Sequence, residues 1–134
     1  MSIPTPTDGE MAILRVLWVR GPSTVRQVHE VLQPERNVGY TTVLKMLQIM
    51  REKGIVSRED ARRPHIYAAA QERGLVQDGL VQALVRKAFG GSSTSLVMRA
   101  LAARRPSAEE LVDIRLMLDA LEPGAEERPP PPPP

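Results

Sequence analysis

The 134-residue chain is long enough for one compact domain with an accessory element. It contains no cysteine, which excludes disulfides and thiolate metal sites, and no apolar run near the ~18 residues of a membrane span. Net charge is +2, but between Arg36 and His65 seven cations meet three anions, an excess of +4, while Gln71 onward carries eight cations and nine anions. A local basic excess suits a polyanionic partner. The N-terminal stretch has no basic segment followed by an apolar core, so a signal peptide is not expected, and the expected location is cytoplasmic.

The first helix is expected to start near Thr7 or Asp8, with Glu10 completing a capping box. Its stripe is Met11, Leu14, Leu17 and Trp18, and Gly21-Pro22 stops it. Ser23 is placed to cap a short second helix, Thr24 to Leu32, with Val25, Val28, Val31 and Leu32 inward and Pro34 marking its end. A third helix is expected from about Tyr40 to Lys53, between Gly39 at the N-cap and Gly54 at a left-handed stop. Val43, Met46, Leu47 and Met50 form its apolar stripe. The opposite face carries Thr41, Thr42, Lys45, Gln48 and Arg51, with no acid before Glu52.

Ile55, Val56, Ile66 and Tyr67 are strand formers on either side of a charged turn, Asp60 to Pro64, and predict a short hairpin with a basic tip. Three helices and a hairpin are the order of a winged helix-turn-helix, with the second and third helices as its paired helices. In such a domain the third helix lies in the DNA major groove. Threonines at its start can contact phosphate or a thymine methyl. Lys45, one turn beyond Thr41, can reach a guanine edge or a phosphate, and Gln48 and Arg51 follow on nearly the same side.

After Ala70 the character changes. A fourth helix carries Leu75, Leu80, Leu84 and Phe89 near one side, with Val76, Val81 and Val85 beside them. Gly74 and Gly79 weaken it by up to ~1 kcal/mol each, and Gly90-Gly91 breaks it. Ser92 or Ser93 caps a fifth helix with Leu96, Val97, Ala100 and Leu101. Pro106 and Ser107 introduce a sixth, whose stripe is Leu111, Ile114, Leu118 and Leu121. Three such helices make too small a core alone, so pairing with the same segment of a second chain is expected. The fold class is therefore mainly α: a winged helix-turn-helix at 1–70, a helical dimerisation domain at 71–122 and a proline-rich tail at 123–134. Six terminal prolines favour extended polyproline, read as a disordered tail rather than a docking peptide.

The stretches "GEMAILRVLW", "PSTVRQVHEVL", "YTTVLKMLQIMREKGIV" and "RRPHIYAA" resemble the penicillinase repressors of BlaI/MecI type, over residues 7 to about 122. The resemblance implies a winged-helix repressor that dimerises through its C-terminal helices on palindromic double-stranded operators. It places Thr41, Thr42 and Lys45 at groove-contacting positions, and Arg62, Arg63 and His65 in the wing. It places the leucines after Ala70, with Leu80, Leu84, Leu111, Ile114, Leu118 and Leu121 foremost, in the dimerisation helices. In the best-known members a membrane-bound zinc metallopeptidase sensor causes cleavage at an Asn-Phe pair in the fifth helix. This chain has Arg99-Ala100 in the aligned segment, so either another bond is cut or release differs. Copper-responsive relatives carry a C-terminal cysteine cluster that is absent here, which excludes copper sensing by that route.

No cofactor, resident metal or catalytic constellation is expected. His29 begins "HEVLQ", but Gln33 stands where a zinc-protease helix needs its second histidine. Gly90-Gly91-Ser92 lacks the spacing of a phosphate loop. The competing class is a protein-interaction scaffold that has lost DNA binding; salt-sensitive operator binding discriminates the two.

Overall fold

A computed structural model describes residues 5–124; the proline run lies outside the described residues. The element order is α1 (Asp8–Arg20), α2 (Val25–Arg36), α3 (Tyr40–Glu52), β1 (Val56–Glu59), β2 (Ile66–Ala69), α4 (Arg73–Ala88), α5 (Ser93–Ala103) and α6 (Ala108–Leu121). The backbone divides into two compact units between Lys87 and Ala88. The change in sequence character after Ala70 therefore falls inside the first unit, which holds α4 up to Lys87.

Local chemistry fixes the helix starts. Thr7 caps α1: its hydroxyl accepts from the Glu10 N–H, and the Glu10 carboxylate accepts from the Thr7 N–H. The α2 cap is Thr24, one residue later than the expected Ser23, because Thr24 and Gln27 complete the same reciprocal pair. Ser23 is instead buried beside β2. Its N–H donates to the Tyr67 carbonyl at 2.9 Å, the Tyr67 N–H donates back at 2.8 Å, and its hydroxyl donates to Gly21 O.

Two further expectations about α2 give way. The helix runs through Pro34 to Arg36 and ends on Asn37 in the left-handed region, φ 51°. Proline removes one rung there, and the last turn is still closed by the Asn37 N–H on Gln33 O. Val31 is 45% exposed rather than inward. At 3.6 residues per turn it lies about 120° from Val25, on the flank of the Val25, Val28 and Leu32 stripe.

Three elements close the core around α1. It buries Ala12, Ile13, Leu14, Val16 and Leu17, more than the narrow stripe expected, with Met11 and Trp18 only partly covered. Helix α2 adds Val28 and Leu32, and α3 adds Val43, Leu47 and Met50, all buried. Met46 is half-buried and packs on the start of α1, where a Cβ on Gly9 would sit 2.6 Å from its Cε. Gly54 takes φ 79°, which lets the chain reverse from α3 into the hairpin, and Ile55 and Val56 enter the core directly behind it. Strands β1 and β2 pair antiparallel, with Val56 opposite Ala69 and Arg58 opposite Tyr67. Trp18 Nε1 donates to Gln71 O at 3.1 Å, and Val76 of α4 is buried.

The second unit holds α5 and α6. Ser92 caps α5 and Ser107 caps α6, the latter with Glu110 in a full capping box. Neither helix contains a buried residue.

Candidate nucleic-acid interface

The burial of Val43, Leu47 and Met50 sets how α3 is rotated. With those three at the core, Thr41, Thr42, Lys45, Gln48 and Arg51 are all exposed. Gly39 leaves the N-terminus of α3 without a side-chain cap, so its first N–H groups remain available to an acceptor. The turn before it is fixed by His29, whose Nε2–H donates to Val38 O at 2.9 Å while its ring meets Tyr40 edge-on at 6.1 Å between centroids.

The hairpin tip carries Arg62 and Arg63, both exposed, and His65 is half-buried at its base. Among the described residues, Lys45, Arg62 and Arg63 have no ion-pair partner. Arg51 does. Its Nη2 lies 3.3 Å from Asp60 Oδ2, and Asp60 Oδ1 also accepts from Arg58 Nε. The hydrogen bond from Arg58 foremost, with the charges of Arg58, Arg51 and His65 behind it, holds the Asp60 carboxyl below the usual carboxylate range.

Sequence reading placed Asp60 only in a charged turn and missed this cluster. The available signal was its spacing of two from Arg58, which puts both on one side of an extended chain. A groove of about 820 Å³ was also missed. It runs from Thr24 and Arg26 at the start of α2, past Tyr40, to Pro64 and His65 at the base of the hairpin. It joins the beginnings of both paired helices to the wing.

The C-terminal candidates divide. Leu80, Leu111 and Ile114 are half-buried, whereas Leu84, Leu118 and Leu121 are exposed. Val112 and Leu116, four apart on another side of α6, form a second exposed apolar pair that the single expected stripe overlooked.

A sequence model of the penicillinase repressor family matches residues 6–120. The chain belongs to that family. It is also 38% identical over 124 residues to the transcriptional regulator BlaI of Mycobacterium tuberculosis, in strains CDC 1551 / Oshkosh and ATCC 25618 / H37Rv, covering 91% of this chain and 88% of each relative. For a penicillinase repressor family member the arrangement has a coherent chemistry: an acid-free helix face, free helix-start N–H groups and a cationic hairpin tip stand on one folded unit. Among the described residues no group of three acids or histidines could hold a metal ion, and no helix is long and apolar enough to cross a membrane.

Proposed function

We propose that this transcriptional repressor binds a palindromic double-stranded operator as a homodimer. Helix α3 lies in the major groove, and the hairpin lies against the flanking backbone. One observation carries the reading. From Thr41 to Arg51 the exposed side of α3 bears hydroxyl, amide and cationic groups with no carboxylate, and it is held in that orientation by three fully buried residues. Thr41 and Thr42 reach phosphate or thymine methyl groups, Lys45 and Gln48 reach base edges, and Arg62, Arg63 and His65 meet the sugar-phosphate backbone, with Arg51 at the end of the same helix face held beside it by Asp60.

The second copy is supported by the apolar surface of α6. Val112, Leu116, Met117, Leu118 and Leu121 are all more than half exposed on one helix of 14 residues. Surface of that kind marks a partner contact. Leu111, Ile114, Leu118 and Leu121 join the two copies in the second unit, and Leu80 and Leu84 of α4 do so in the first. Release follows a signal, either by proteolysis through a membrane-bound metallopeptidase sensor or by a route that cuts no bond. Arg99 and Ala100 lie exposed in the middle of α5, so cutting between them requires that turn to unwind.

Fluorescence-anisotropy titration tests the reading. A palindrome selected from a random DNA pool and a scrambled duplex are compared across a salt series. The operator should be bound about 10³-fold or more tightly than the scramble, with log affinity falling steeply against log salt. Absence of binding to either duplex at low salt would refute the assignment.

A further inference from the structure

The cations of the interface are not equivalent. Lys45, Arg62 and Arg63 have no acidic partner among the described residues, while Arg51 and Arg58 share Asp60. Arg51 belongs to the last turn of α3, Arg58 to β1, and Asp60 follows β1 at the root of the tip. One carboxylate thus ties the groove-facing helix to the wing. The neighbouring carboxylate, Glu59, is exposed and has no ion-pair partner among the described residues.

Building on the DNA-binding reading, we propose that Asp60 is a positioning residue that sets specificity. It holds Arg51 and Arg58 against the protein, which restrains their attraction to phosphates of any sequence and fixes the angle between wing and α3. The physical basis is counterion release. A free cation meeting DNA displaces about 0.9 counterion from B-DNA per phosphate neutralised, and this supplies essentially all of non-specific affinity. A guanidinium already paired with a carboxylate displaces less. Base contacts by Thr42, Lys45 and Gln48 do not depend on that pairing. The operator is therefore favoured over bulk DNA by suppressing the competitor.

The test compares wild type, Asp60→Asn, Asp60→Glu and Glu59→Gln on operator and scrambled duplexes from about 50 to 200 mM salt. Asp60→Asn should steepen the salt slope on scrambled DNA by up to ~2 units. Across that salt range the affinity ratio should then grow about tenfold, for two cations freed. Operator affinity should change less, so the specificity ratio falls. Asp60→Glu should restore the ratio, and Glu59→Gln, the same charge change without the pairing, should leave it near wild type. An unchanged slope in Asp60→Asn, an equal gain on both duplexes, or the same effect from Glu59→Gln would each overturn the proposal. NMR of the Arg58 Nε–H without DNA gives a separate readout. The signal should be protected in wild type and lost in Asp60→Asn. A chain that shows this signal yet binds no DNA refutes the DNA-binding reading and leaves Asp60 a structural clamp only.

Discussion

Glu10, in the first turn of α1, and Lys53, just past the end of α3, form an ion pair at 2.9 Å across 43 residues of sequence. The Glu10 side chain is 5% exposed and the Lys53 side chain 38%. Glu10 also accepts the Thr7 N–H, so one side chain both closes the α1 cap and fastens the far end of α3. Lys53→Ala should leave that carboxylate without its charged partner. Because water reaches Lys53, the cost should be about 1–2 kcal/mol, less than the roughly 3–5 of a fully buried pair. Chemical denaturation of the two proteins measures it.

The same pair predicts a pH dependence. Burial pushes the Glu10 carboxyl up, but the Thr7 N–H and Lys53 together outweigh it, and the net shift is below the ordinary value of 4.5. A carboxyl lowered on folding stabilises fully above its unfolded value, and that contribution is lost as pH falls through the folded one. Glu10→Gln, which keeps a capping side chain, should therefore melt below wild type at neutral pH. The two melting curves should converge below about pH 4.5. Curves that stay parallel into acid would contradict the ion pair's contribution.

Base contact is assigned to the middle of α3. The double variant Thr42→Ala, Lys45→Ala removes two exposed side chains opposite the buried stripe, so its thermal melting should match wild type. Operator discrimination should fall by about 1–3 kcal/mol for each side chain that reads a base edge. Gel-shift titration on operator and scrambled DNA measures this directly. Full operator affinity in the folded variant would move the groove-reading surface elsewhere.

The tip should behave differently. Arg62→Ala with Arg63→Ala removes two unpaired exposed cations and no packing. Specific and non-specific binding should weaken together, with the salt slope flattening by up to ~2 units. A slope equal to wild type would mean that the tip points away from the duplex.

Assembly is the last prediction. Half-sites on a palindrome lie roughly 34–36 Å apart, or a multiple of that, so two copies must be joined at a fixed spacing. Leu118, 55% exposed on α6, belongs to the proposed seam. Leu118→Arg would bury an unpaired charge there, a cost of several kcal/mol. Sedimentation should show a monomer at micromolar concentration, with tight palindrome binding abolished. Circular dichroism should show that the N-terminal unit stays folded. A wild-type chain that sediments as a monomer at high concentration would refute the architecture.

Much of this fold was legible because helix starts and stops are local chemistry. Thr7 with Glu10, Gly39, Gly54 and Ser107 each act within a few residues of themselves, and each stands where the sequence indicated. What escaped depends on partners distant in the chain. Ser23 looks like a cap until Tyr67, 44 residues on, is brought beside it. Arg51 looks free until the hairpin folds Asp60 back against α3. The breadth of the α1 core needed α2, α3 and β2 to arrive from different directions. On α6 a single stripe was legible, but Val112 and Leu116 show their exposure only once the helix is seen in its surroundings.

The double hydrogen bond between Ser23 and Tyr67 gives the hairpin the mechanics of a cantilever. Its root is clamped on both sides, by β1 and by the segment leading into α2, and Asp60 is held to α3 through Arg51, while the span from Ala61 to Pro64 has no backbone hydrogen bond or ion pair to a third chain segment among the described residues. Load applied at Arg62 or Arg63 bends the free end and leaves the root at rest. In the proposed complex the tip would thus conform to duplexes of differing groove width, while the bearing of α3 stayed the same from one to the next.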